Sequence, residues 1–75
     1  MIKYKIDILP ELAKHGYNTG RIRRQGLISE STLTQIRKGE PVNMKTLNAI
    51  CVMLRCQPGD IIEVEVTDEE KIKYF

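Results

Sequence analysis

Apolar and polar residues change period several times along this chain. Ile2, Tyr4 and Ile6 alternate with Lys3 and Lys5, the two-residue period of a half-buried strand. From Ile8 the spacing lengthens. Ile8, Leu9, Leu12 and Ala13 fit one face of a helix that Asp7 caps and Gly16 ends. Pro10 falls in its first turn, where a missing N–H costs nothing. Asn18 caps a second, short helix running to about Gln25, with Ile22 as its main inward residue. Gly26-Leu27-Ile28 breaks it. Ser29 then caps a third helix, Glu30 to Lys38, that turns Leu33 and Ile36 inward with Thr32 beside them. Gly39 stops this helix and Pro41 follows, the usual order of a helix ending.

The most strongly amphipathic segment comes next. Asn43 opens a helix in which Met44, Leu47, Ile50, Cys51 and Leu54 recur at intervals of three and four. Gln57-Pro58-Gly59-Asp60 makes a turn or one last helical turn, and Ile61 and Ile62 return to the core. Ile62, Val64 and Val66 alternate with Glu63 and Glu65, again the period of a strand. Residues 67–75 read as a polar, mobile tail. The pattern predicts one domain over residues 1–75, all-α, with four or five compactly packed helices and short terminal strands at residues 2–6 and 62–66. Neither strand is stable alone. They pair within one chain, or across two chains as a dimer interface.

Composition narrows what such a domain does. A chain of 75 residues hides only about 60% of its unfolded surface on folding. Its core is thin, and little material remains for a deep catalytic pocket. No run approaches the roughly 20 apolar residues of a membrane span, and the N-terminus lacks a signal peptide's apolar stretch. A cytoplasmic location without a membrane partner is the expectation. Cys51 and Cys56 have no second ligand pair, and His15 is remote in sequence, so neither a metal nor a cofactor is expected. A disulfide is disfavoured in a reducing cytosol; Cys51 reads as a small core residue and Cys56 as partly buried. His15 stands at a helix end, where a cation suits the dipole. With no carboxylate pair beside that single His, no catalytic residue is assigned and no enzyme is expected. Tyr17 reads as core packing and Tyr4 as a strand residue.

The net charge is only +2, but it is unevenly spread. Residues 1–39 carry eight basic side chains (Lys3, Lys5, Lys14, Arg21, Arg23, Arg24, Arg37, Lys38) against Asp7, Glu11 and Glu30. Residues 40–75 carry four basic side chains against seven acidic ones. The first half can face a polyanion while the second does not.

The informative stretch is Tyr17 to Gly39: two short capped helices joined by a tight break. On the second, only Leu33 and Ile36 are clearly inward. Ser29, Glu30, Ser31, Thr34, Gln35 and Lys38 remain outside, a set of hydroxyls, an amide and a carboxylate of the kind that reads base edges in a major groove. A purely solvated helix more often shows Glu and Lys four apart.

Residues Asn18 to Glu40 resemble the helix-turn-helix of the lambda-repressor-like Cro/CI-type proteins, also called the XRE family. The family's Ser-x-Ser-Thr-(Leu/Ile)-x-x-(Ile/Leu)-x-x-Gly recognition-helix signature is intact from Ser29 to Gly39. Thr46 to Leu54 and Pro58 to Ile62 look like its following core helix and terminal turn, so the likeness runs from about Ile6 to Glu63. It departs in two places. Arg23 stands where the family usually has a small residue, and Leu27 stands where it usually has Gly, with Gly26 one place earlier. The second change predicts a slightly different turn.

The resemblance implies sequence-specific binding of double-stranded DNA in the major groove by a regulator, most simply a repressor of phage or bacterial type. It assigns base contacts to Glu30, Ser31, Thr34 and Gln35. Gln35 can also bond bidentately to adenine, and Glu30 can accept from cytosine N4. Asn18, Thr19 and Ser29 match phosphate-contacting positions at helix N-termini. Lys38, Lys45 and Arg21 or Arg24 add backbone contacts that supply salt-dependent affinity. Twofold-symmetric sites are usual for such domains, so a homodimer is expected, with the terminal strands as one candidate interface. The competing expectation is an antitoxin-like module whose main role is to hold a protein partner; it predicts a tight protein complex and weak DNA binding alone.

Overall fold

A computed structural model describes all residues, 1–75. The order is strand β1 (Ile2–Tyr4), helices α1 (Ile8–Lys14), α2 (Thr19–Gln25), α3 (Glu30–Arg37) and α4 (Met44–Leu54), a 3-10 turn (Pro58–Asp60), strand β2 (Ile62–Val64) and helix α5 (Asp68–Tyr74). The expected helices are all present. The strands are shorter than their alternating runs, and they pair within one chain. They lie antiparallel, with Ile2 opposite Val64, Lys3 opposite Glu63 and Tyr4 opposite Ile62. Two flanking bonds extend the ladder: Glu65 N–H donates to Met1 O at 2.8 Å and Lys5 N–H to Ile61 O at 2.8 Å. Lys3 also pairs with Glu65, and with Glu63 at 3.5 Å.

Local chemistry explains where the helices begin and end. Asn18 Oδ1 accepts from Arg21 N–H at 2.8 Å, Ser29 Oγ from Thr32 N–H at 3.3 Å and Asn43 Oδ1 from Thr46 N–H at 2.8 Å. Each relieves one of the unpaired N–H groups of a first turn. Asp7 occupies the cap position of α1 without making a side-chain cap bond. The other ends share one device. A residue in the left-handed region lets the next N–H reach back five residues, as in Leu27 to Ile22 O at 3.1 Å and Glu40 to Gln35 O at 2.9 Å. Gly26 (φ 61°) and Gly39 (φ 73°) fill that position after α2 and α3, whereas α4 uses Arg55 at φ 54°.

Leu12, Ile22, Leu33, Ile50 and Ile61 are the fully buried centre, one side chain each from α1, α2, α3, α4 and the approach to β2. Helices α1 to α4 and the approach to β2 therefore build a single small core. Around it lie Ile8, Ile28, Ile36, Cys51, Met53 and Leu54, all buried. Tyr17 and Leu47 pack against this cluster, half-buried. Cys51 and Cys56 are free thiols, the first buried and the second half-buried. Burial pushes the Cys51 thiol up from its ordinary value.

Three expectations are corrected, and one core residue is added. Met44 points to solvent, 80% exposed, while Met53 is buried instead. Both sit at the margins of the apolar arc of α4, about 90° from its centre, and the neighbouring elements cover only the Met53 side. Ala13 is exposed. Ile28, in the break, is a core residue. The tail is helical from Asp68, because Thr67 and Glu70 cap each other reciprocally: Glu70 N–H donates to Thr67 Oγ1 at 3.1 Å and Thr67 N–H to Glu70 Oε1 at 3.1 Å.

Candidate nucleic-acid interface

The α2–turn–α3 unit is held from beneath by Ile22, Ile28, Leu33 and Ile36, all buried. Leu33 and Ile36 fix which way α3 faces. Helical spacing then leaves Glu30, Ser31, Thr34, Gln35 and Lys38 on the opposite side, and all five are exposed. The turn between the helices takes its left-handed residue at Gly26 rather than one place later, so the displaced glycine of the sequence still performs the reversal. Leu27 is then a plain exposed residue and Ile28 the one that anchors the turn in the core.

Polar bonds organise the start of α3. Ser29 Oγ lies 2.8 Å from Thr32 Oγ1 and 3.2 Å from Ser31 Oγ. Thr34 Oγ1 donates to the Glu30 carbonyl at 3.1 Å, a bond it must share with any base edge it reaches. Arg23 of α2 spans the turn and forms an ion pair with the Glu30 carboxylate, through Nε and, at 3.4 Å, through Nη2. The sequence assigns no partner to Arg23. The signal was there only as a cation and an anion seven apart, a spacing without meaning along one helix and significant only once a turn intervenes.

The basic residues divide by what already holds them. Arg21 donates through Nη1 to Gly16 O at 3.1 Å and through Nε to Gln25 Oε1 at 3.2 Å. Its guanidinium also lies 4.3 Å from the centre of the Tyr17 ring. Arg21 therefore ties the end of α1 to α2. Arg24, one residue short of the helix end, is exposed, as are Lys38 and Lys45. Asn18 and Ser29 are exposed caps, and Thr19 is half-exposed beside the first. His15 ends α1, with Nδ1 2.9 Å from the Glu11 carbonyl. No three His, Cys, Asp or Glu side chains converge on a point. No helix is long and apolar enough to cross a membrane.

Two short helices in this relation, the second presenting a polar face away from a common core, define a helix-turn-helix DNA-binding domain. A family profile described as the Cro/C1-type helix-turn-helix DNA-binding domain matches residues 8–67. The chain is also 34% identical over 67 residues to an uncharacterised HTH-type transcriptional regulator, YozG, of Bacillus subtilis (strain 168), covering 87% of this chain and 76% of that protein. No solved structure matches significantly. The chain belongs to the Cro/C1-type helix-turn-helix family, the XRE-like DNA-binding regulators.

Proposed function

We propose that this protein binds one specific duplex sequence through α3 in the major groove and represses transcription from promoters that contain it. The observation that carries the reading is the division of α3 into a buried Leu33–Ile36 side and an exposed side of base-reading groups. Gln35 pairs with adenine N6 and N7, and Ser31 and Thr34 add hydroxyl contacts. Glu30 accepts from cytosine N4, with Arg23 offsetting the charge that would otherwise repel nearby phosphates. Asn18, Thr19 and Ser29 hold phosphates at helix starts, and Arg24, Lys38 and Lys45 hold them by charge. Arg21 acts first through Tyr17 and Gly16, and contacts the backbone only in addition. The protein works as a homodimer on a palindromic site, in the cytoplasm where a bacterial or phage operator is found.

Selection from a random duplex pool, followed by titration at two salt concentrations, tests this. The expected outcome is an enriched palindrome whose affinity falls steeply with salt. Gln35→Ala should relax one base position, worth about 1–3 kcal/mol, while Lys38→Ala should weaken all sequences alike. Repression is read by in vitro transcription from a promoter carrying the site. No enrichment, with affinity left near about 10⁻⁴ to 10⁻⁶ M, overturns the reading in favour of a module that holds a protein partner.

A further inference from the structure

Helices α1 to α4 end alike, and the last of them ends on two thiols. After each, a residue in the left-handed region lets one N–H reach a carbonyl five residues earlier. The bonds run from Tyr17 to Leu12, Leu27 to Ile22, Glu40 to Gln35 and Cys56 to Cys51, at 2.8, 3.1, 2.9 and 3.0 Å. Such a turn folds the later side chain back over the earlier one, and the two commonly meet as an apolar contact. At the end of α4 both places are held by cysteine.

The backbone brings these two residues within bonding reach. Even with the 3.0 Å bond and its flanking covalent bonds drawn straight, the two Cα atoms stand no more than about 6.9 Å apart. The bend at each atom brings them inside the roughly 4.4–6.8 Å that a disulfide bridges. Both side chains open on one groove beside α4, which Val52, Arg55 and Gln57 also line. Both are free thiols, Cys51 buried and Cys56 half-buried. Burial raises the Cys51 thiol most, and the neighbouring Cys56 thiol raises it further, as two adjoining groups would. No three His, Cys, Asp or Glu side chains converge on a point, so the pair lacks the further ligands of a structural zinc or iron–sulfur site.

We propose that Cys51 and Cys56 are an oxidation site for hydrogen peroxide, closing to an intramolecular disulfide across the end of α4. Burial sets the order of events. Cys56, the more accessible, attacks one peroxide oxygen as its thiolate. The S–O bond forms, the O–O bond breaks, and the departing oxygen takes up a proton and leaves as water, with sulfenic acid at Cys56. The Cys51 sulfur then attacks that sulfur. The S–S bond forms, the S–O bond breaks, and the hydroxyl leaves as a second water with the Cys51 proton. Two thiols and one peroxide become one disulfide and two waters; each sulfur gives up one electron and peroxide takes both. Cys51 needs no exposure for its step, because the turn delivers its partner to it. In a reducing compartment the pair rests as two thiols, and the bond once formed fastens the left-handed turn at Arg55. The assignment holds whatever α3 binds.

Intact-mass measurement on the full chain, reduced and then treated with hydrogen peroxide, tests it. The expected product is a single chain lighter by two hydrogens, with both thiols lost together and restored by dithiothreitol. Its melting temperature should rise by about 5 °C or more over the reduced form. Cys51→Ala should stop at the first step, with one added oxygen and a dimedone adduct at Cys56. Cys56→Ala should leave the buried thiol reduced, its loss slowed about 10-fold or more. Thermal melting of both variants shows that they fold, and the result on the parent stands without them. Thiols that do not react, added oxygen in the parent without loss of the two hydrogens, disulfide-linked pairs of chains on non-reducing electrophoresis, or an oxidised chain that melts below the reduced one each overturns the proposal.

Discussion

Replacing Leu33 with Ala removes the side chain that fixes α3 to the body. Leu33 is fully buried, 0% exposed, and shares the core with Leu12, Ile22, Ile50 and Ile61 from four other segments. Truncation of such a leucine costs about 2.7–5 kcal/mol, depending on how far the neighbours collapse into the space. A domain of this length holds only about 4–11 kcal/mol in all, and a core drawn from single side chains of separate elements has little capacity to close the gap. We therefore expect a loss of about 3.5 kcal/mol, which lowers the melting temperature by roughly 15–25 °C at this size. Thermal and urea unfolding followed by circular dichroism measure it directly. Ser29→Ala, which removes only an exposed cap of the same helix, should cost about 1 kcal/mol, and Gln35→Ala should cost almost nothing in stability. A Leu33→Ala protein that melts within a few degrees of the parent would refute the reasoning. So would one that loses DNA binding while its melting is unchanged, because Leu33 acts only through the position of α3.

The pair between Arg23 and Glu30 is exposed and stabilises the fold by less than about 1 kcal/mol, so its value should appear in recognition: Arg23→Ala and Glu30→Gln should alter preference at the same base position, and a double-mutant cycle read by selection should show them coupled. Gly26→Ala should destabilise by about 1 kcal/mol although no atom lies within 4 Å of the added Cβ, because the φ of 61° is unfavourable for an L side chain. Arg55→Gly, at φ 54°, should shift stability in the opposite direction by a similar amount in urea titration. The Met1 ammonium, with the Thr67 amide and hydroxyl, holds the Glu70 carboxyl down at about 2, from an ordinary value of 4.5. Because the folded value is the lower one, the stabilisation of α5 is complete above the ordinary value and is lost as pH falls from about 4.5 through 2. Chemical shifts of the Thr67 and Glu70 amides should follow that window, and Glu70→Gln should abolish the response.

Whatever depends on neighbours within one turn is legible in the order of residues alone. The caps Asn18, Ser29 and Asn43 and the stops Gly26 and Gly39 act through bonds spanning three to five residues. The periods of three and four identified Ile22, Leu33, Ile36 and Ile50 as inward, and the opposite side of α3 followed at once. Even the capping box at Thr67 is written in the sequence, within a tail whose polarity argues against a helix. Whatever depends on which surfaces meet is settled only by packing. Alternation in residues 2–6 and 62–66 could not say whether the strands pair at home or abroad, since that choice depends on where α4 and the 3-10 turn return the chain. Met44 and Met53 lie symmetrically at the two margins of one helical arc, and only the packing of neighbours buries one and exposes the other. Arg23 reaches Glu30, and Arg21 reaches Gly16 and Tyr17, across turns whose geometry no residue spacing encodes. Local bonds are fixed by adjacency along the chain, whereas burial and cross-element pairing are fixed by the docking of surfaces, and that is settled only when all of them share one core.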